Sequence, residues 1–154
     1  MNHKLVQLLA TFFYVGKIPR APGTFGTLAT IPLWYILSHN LAPISYMMAV
    51  FALVIASMVV CEFYERQVGT HDNSEVVIDE VVGFLITMTW VPENWKSVVV
   101  GFVLFRLLDI AKPFPISHLD KKVKGGVGVV IDDVAAGIIA SLILQGMYNY
   151  GLLN

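Results

Sequence analysis

The chain has 154 residues, 56% of them hydrophobic and 14% charged, with a mean hydropathy of +0.71 and a formal net charge of −1. Soluble domains hold about 45–50% apolar residues, so this composition points to an integral membrane protein. It lacks the basic stripe with interleaved aromatics that a nucleic-acid groove needs, and its single cysteine, Cys61, excludes an intramolecular disulfide.

In chain order, Met1-Asn2-His3-Lys4 and the apolar residues after it, through Val15, imitate the opening of a signal peptide. No small residues bracket a cleavage site, and Lys17 and Arg20 follow, so the stretch is expected to stay as an N-terminal amphipathic helix, interfacial or partly inserted. Ala21-Pro22-Gly23-Thr24-Phe25-Gly26-Thr27 reads as a glycine loop entering a helix near Leu28. Glycines such as Gly26 let backbone N–H groups approach an anion, and the Thr24 and Thr27 hydroxyls add donors; a plain turn is the other reading. The stretch fits neither the Walker spacing nor the dinucleotide fingerprint.

The run 41–61 meets the roughly 20 residues needed to cross a bilayer, and 134–153 is nearly as apolar, broken only by Ser141, Gln145 and Asn149. Three shorter runs, 25–37, 81–91 and 98–108, are read as thin or tilted spans or as re-entrant helices. The expected fold is therefore all-α: a compact polytopic membrane bundle of about five apolar segments plus the N-terminal helix, forming one domain over 1–154. Trp34, Trp90, Trp95, Tyr148 and Tyr150 near run ends suit an interfacial aromatic belt.

Alternating the runs puts 16–25, 65–80 and 106–133 on one side. Lys4, Lys17, Arg20, Arg66, Arg106, Lys112, Lys121, Lys122 and Lys124 share that side, and Lys96 alone lies opposite. The asymmetry marks the first side as cytoplasmic.

The same side gathers the acids. Asp79-Glu80 opens the run at 81, where carboxylates also suit the helix dipole. In Arg106-Leu107-Leu108-Asp109-Ile110-Ala111-Lys112 the i,i+3 spacing sets Arg106 and Asp109 on one helical face, as an ion pair or with Arg106 turned to phosphate. Lys112 is either an interfacial anchor or a phosphate contact. A second glycine stretch, Gly125-Gly126-Val127-Gly128, precedes Asp132-Asp133, which is read as opening the last run. One aspartate there can cap; two adjacent acids repel unless a cation lies close. Five carboxylates beside hydrocarbon, Asp79, Glu80, Asp109, Asp132 and Asp133, are expected to hold a divalent metal, with hard oxygen donors and no zinc-type Cys/His cluster. In the polar loop before them, His71 could exchange a proton and Asp72 could orient it or bind metal, although a solvated loop histidine is the commoner case.

Together the blocks Pro22-Gly23-Thr24-Phe25-Gly26-Thr27, His71-Asp72, Asp79-Glu80, Arg106-x-x-Asp109-x-x-Lys112-Pro113 and Gly125-Gly126-x-Gly128 leading to Asp132-Asp133-x-x-Ala136-Gly137 resemble the phosphatidylglycerophosphatase A family over about residues 16–140. The resemblance implies a Mg²⁺-dependent, multi-pass bacterial inner-membrane phosphatase that turns phosphatidylglycerophosphate into phosphatidylglycerol and phosphate. On that reading the five acids supply metal ligands or the water-activating base, while Arg106, Lys112 and the two glycine stretches hold phosphate. Attack by water is preferred, with an aspartyl-phosphate route left open, and the site should open laterally to a lipid whose chains stay in the bilayer. Nothing in the sequence speaks to oligomeric state. The alternatives are a small cation transporter or channel subunit, against which the apolar depth of the spans counts, and a CDP-alcohol phosphotransferase, whose longer Asp/Gly-spaced motif is absent.

Overall fold

The computed structural model describes residues 2–69 and 73–153, without the side chain of Asp120. Among these residues there is no strand. The helices are α1 (His3–Ala10), α2 (Pro22–Asn40), α3 (Pro43–Val68), α4 (Ile78–Thr87), α5 (Trp95–Ala111), α6 (Ile116–Lys122) and α7 (Gly125–Asn149), with a short 3-10 turn at Val15–Lys17.

Local chemistry sets most boundaries. Prolines open α2 and α3, where a missing N–H costs nothing, and α3 stops at Gly69, whose φ of +75° only glycine adopts freely. Asn2 and Asn94 cap α1 and α5 by accepting from the N–H groups of Lys4 at 3.1 Å and Ser97 at 2.8 Å. The N-terminal helix ends earlier than its sequence suggests: the chain leaves α1 after Ala10 through Phe12, Phe13 and Tyr14, all at positive φ.

Five elements run alternately up and down one bundle. At one end Gly23 of α2 meets Glu80 of α4, and the Gly126 N–H at the start of α7 donates to Glu62, near the end of α3. At the opposite end the Tyr46 hydroxyl of α3 donates to the Leu85 carbonyl, and the Asn94 amide before α5 donates to the Leu153 carbonyl beyond α7. The core between these ends is built on Trp34, Phe84, Leu85, Phe105 and Leu144.

The tightest crossing is that of α4 on α7. A Cβ at Gly137 would stand 2.4 Å from the Gly83 carbonyl oxygen, and one at Gly83 would lie 2.6 Å from the Phe105 ring and 2.9 Å from the Asp133 carbonyl oxygen. Small residues let the two backbones meet, the usual device for packing helices in lipid. One helical turn before these glycines stand Asp79 and Asp133, so the crossing also sets the distance between their carboxylates.

Two described helices, α3 and α7, are long and apolar enough to cross a membrane. The runs at 25–37 and 98–108 lie within α2 and α5. The run at 81–91 is helical only as far as Thr87: α4 has ten residues, a rise of roughly 15 Å, too short by itself to cross a bilayer. Ile44, Met48 and Phe51 on α3, Leu107 and Ile110 on α5 and Leu142 on α7 are exposed apolar side chains, which suits a bundle bathed in lipid.

Candidate active site

The five acids picked out by the sequence line one cleft of about 200 Å³ at the end of the bundle where α2, α4 and α7 begin and α5 stops. Carboxylate oxygens of Asp79, Glu80 and Asp133 lie within 4.8 Å of one another. Asp109 and Asp132 complete the wall, together with Lys112, Pro22, Gly23, Asn73, Ser74, Val76, Gly128 and Val129.

Two cations hold part of this charge. Arg106 Nη1 donates to Asp109 Oδ2 at 2.6 Å and lies 3.7 Å from Glu80 Oε1, with all three side chains largely buried. Lys112 Nζ donates to Asp132 Oδ2 at 2.6 Å. The Glu80 N–H donates to Asp79 Oδ1 at 3.1 Å, yet buried Glu80 Oε2 has no hydrogen-bond partner among the described residues. Burial, followed by the charges of Glu80 and Asp133, holds the Asp79 carboxyl well above the ordinary carboxylate range. Burial raises Glu80 too, against the lowering effects of Asp79's hydrogen bond and the Arg106 charge. Three converging carboxylates with an unsatisfied buried oxygen fit a hard divalent cation, whose charge reverses the cost of ionising them.

Several sequence expectations change here. Asp132 and Asp133 do not open a helix; α7 begins at Gly125 and carries them two turns in. Gly125 and Gly126 form no open anion loop. The Gly126 N–H is donated to Glu62 Oε2 at 2.9 Å, and a Cβ at Gly126 would stand 2.2 Å from the Met58 carbonyl oxygen, so these glycines admit α3. The first glycine stretch is likewise helical from Pro22. Thr27 is buried with its hydroxyl donating to the Gly23 carbonyl at 2.9 Å, and Gly26 packs on Val77, where a Cβ would lie 2.8 Å from the valine Cβ. Thr24 is half-buried beside the cleft and does not line it. Gly23 is the glycine that matters: a Cβ there would stand 2.0 Å from Glu80 Oε1. Arg106 stands behind the cleft wall, committed to carboxylates. His71 and Asp72 lie outside the described residues.

Sequence reasoning missed Asn73 and Ser74, polar residues of the cleft wall six and five positions before Asp79, whereas Gly128, which also lines the cleft, lies in the second glycine stretch it named. The only trace of Asn73 and Ser74 was their place in the polar loop before Asp79.

The family model described as phosphatidylglycerophosphatase A matches residues 8–148. A protein of that name from Escherichia coli (strain K12) is 41% identical over 139 residues, covering 90% of this chain and 80% of the relative. Another from Haemophilus influenzae is 36% identical over 140 residues, 90% and 86% of the two chains. A Bacteroides thetaiotaomicron protein named "Putative phosphatidylinositol-3-phosphatase" is 36% identical over 147 residues, 91% of each. No solved structure matches.

Proposed function

This chain belongs to the phosphatidylglycerophosphatase A family, and from that premise we propose that it hydrolyses the terminal phosphomonoester of phosphatidylglycerophosphate in phospholipid biosynthesis. Water is consumed, and phosphatidylglycerol and inorganic phosphate are released. The observation that carries the reading is the convergence of Asp79, Glu80 and Asp133 within 4.8 Å, at the mouth of a bundle with two membrane-length apolar helices.

Mg²⁺ fits this donor set, and Asp79, Glu80 and Asp133 would hold it. When bound, such an ion neutralises phosphoryl oxygens and makes water more acidic. The chain's own residues do the rest. Arg106 fixes Asp109 and Glu80 from behind, so that neither carboxylate rotates away as the substrate enters. Asp109 and Asp132, in the cleft but outside the three-acid cluster, are placed to take the proton of the attacking water. Lys112, with half its attention on Asp132, faces the cleft as the cation nearest an incoming phosphate. Asn73 and Ser74 add neutral donors at the rim. The acyl chains remain in the bilayer at the cytoplasmic face of the inner membrane, where the excess of Lys and Arg at this end of the bundle favours placement. The five cleft acids lie together at one end rather than through the depth of the bundle, an arrangement unsuited to a cation path.

The test is phosphate release from phosphatidylglycerophosphate vesicles by the purified protein, with Mg²⁺ and with chelator, for the parent, Asp79→Asn and Asp133→Asn. Chelator should abolish turnover. Each variant should lose more than the roughly 10–100-fold typical of a partner one step behind a metal ligand. Full turnover in chelator, or in both variants, overturns the site.

A further inference from the structure

The cleft is built for a cation, yet the substrate proposed for it is an anion. Five carboxylates against Arg106 and Lys112 leave three formal negative charges in excess, and a divalent ion still leaves one. A phosphomonoester carrying close to two charges needs positive groups elsewhere on its approach. They stand on the strap that joins α6 to α7. Lys121 and Lys122 end α6, Lys124 precedes the first residue of α7, and all three are exposed. None makes an ion pair or hydrogen bond with another described residue.

The strap is pinned to the cleft. Val123, between these lysines, lays its carbonyl oxygen so close to Gly128 that a Cβ there would stand 2.3 Å away, and Gly128 lines the cleft one turn before Asp132. Three exposed cations with no partner among the described residues thus flank Val123, whose carbonyl meets a glycine of the cleft wall, at the rim where a second anionic group of a headgroup could reach them.

We propose that Lys121, Lys122 and Lys124 form a subsite for the phosphodiester of a lipid headgroup whose phosphomonoester occupies the carboxylate cleft. The inference rests on the lipid phosphatase reading above and narrows it. The substrate class is then a lipid with two phosphates bridged by a polyol, one a diester and one a terminal monoester, selected against phosphatidic acid, which has the monoester alone. Phosphatidylglycerol, the product, keeps the diester and therefore competes at the same lysines. Exposed cations near an anionic lipid surface each contribute modestly, and together enough to set a preference without touching the reacting atoms.

The experiment compares the parent with Lys121→Gln/Lys122→Gln/Lys124→Gln in neutral-lipid vesicles, measuring kcat/KM for phosphatidylglycerophosphate and for phosphatidic acid. The ratio of the two should fall about tenfold, mainly through KM, and inhibition by added phosphatidylglycerol should weaken in parallel. Lys121→Arg/Lys122→Arg/Lys124→Arg should restore both. If the triple glutamine variant does not fold, Lys122→Gln alone should move ratio and inhibition in the same direction. An unchanged ratio, or an equal loss on both lipids with unaltered product inhibition, overturns the subsite and leaves the phosphatase reading standing. A parent that releases no phosphate from phosphatidylglycerophosphate overturns both.

Discussion

The two ends of this bundle are made from the same helices and differ almost completely in chemistry. At the cleft end, α4, α5 and α7 bring together five carboxylates, Arg106 and Lys112, with partly buried ion pairs at 2.6 Å. At the other end the chain places Trp90, Trp95 and Tyr150 in exposed positions, with Glu93 and His39 among the few ionisable groups. Charged residues at the cleft end are held by one another, while polar residues at the far end, such as Tyr46, Asn94 and Gln145, are held mostly by backbone carbonyls and neutral partners. On the proposed function the cleft pole does the chemistry, while the exposed aromatics of the other pole suit a membrane interface, with the apolar length of the helices between them.

That contrast breaks most severely at Arg106. Its guanidinium stands between Glu80 and Asp109, and all three side chains are about 14% exposed. Arg106→Gln leaves two buried acids without their cation, a loss of about 3–5 kcal/mol when a buried pair is broken on one side. The variant should melt well below the parent in detergent, and its phosphate release should fall by about two orders of magnitude. Arg106→Lys keeps the charge without the planar fork and should recover part of the stability and little of the turnover. A stable, active Arg106→Gln protein would mean that the acids do not share one charged site.

Gly137→Ala tests the same end through packing instead of charge. The added methyl has to displace the Gly83 carbonyl, 2.4 Å from its ideal position, at a cost of about 1–3 kcal/mol for overpacking. Since the crossing sits one turn from Asp79 and Asp133, spreading α4 from α7 should weaken Mg²⁺ affinity, read as the metal concentration for half-maximal phosphate release. An unchanged metal dependence would show that the crossing does not set the distance between the acids.

The acids could be read from the sequence because charge is rare and costly in so apolar a chain, and the Arg106–Asp109 pair because i,i+3 spacing is local geometry. The helix boundaries around them were harder to read. Gly23 to Thr27 and Gly125 to Gly128 look like loops by composition, but Gly23, Gly26 and Gly126 serve close contacts with Glu80, Val77 and Met58, partners distant in sequence. Helix α6, seven residues long, carries no apolar period to announce it. Lys112 pairs with Asp132, twenty positions away, and Glu62 reaches Gly126, 64 positions away. Such contacts exist only once the helices have packed.

Glu62 offers a milder way to sharpen the comparison. It accepts from the Gly126 N–H at 2.9 Å and from Arg66 at 2.8 Å, placing a carboxylate from α3 at the positive end of α7. Glu62→Gln keeps an acceptor oxygen and loses the charge. The expected result is a small drop in melting temperature with phosphate release reduced by about two- to fivefold, the scale of a helix-dipole interaction. A loss as large as that of Arg106→Gln would show that Glu62 takes part in the site itself.

The smallest effect belongs to the far end. His39 Nδ1 lies 3.6 Å from Glu93 Oε2, with the histidine side chain 64% exposed and the glutamate 32%. An exposed pair of this kind contributes about 0–1 kcal/mol, and only while the histidine is protonated. Glu93 also lines a cavity of about 380 Å³ with Trp34, Tyr35 and Trp95, a full helix length from the acids. Glu93→Gln should therefore leave KM and kcat within about twofold of the parent, since nothing links this carboxylate to the cleft except the apolar bodies of α2 and α5. If the substitution instead changed turnover as strongly as Gly137→Ala, the two poles would be coupled along those helices, and the far end could no longer be described as an anchor.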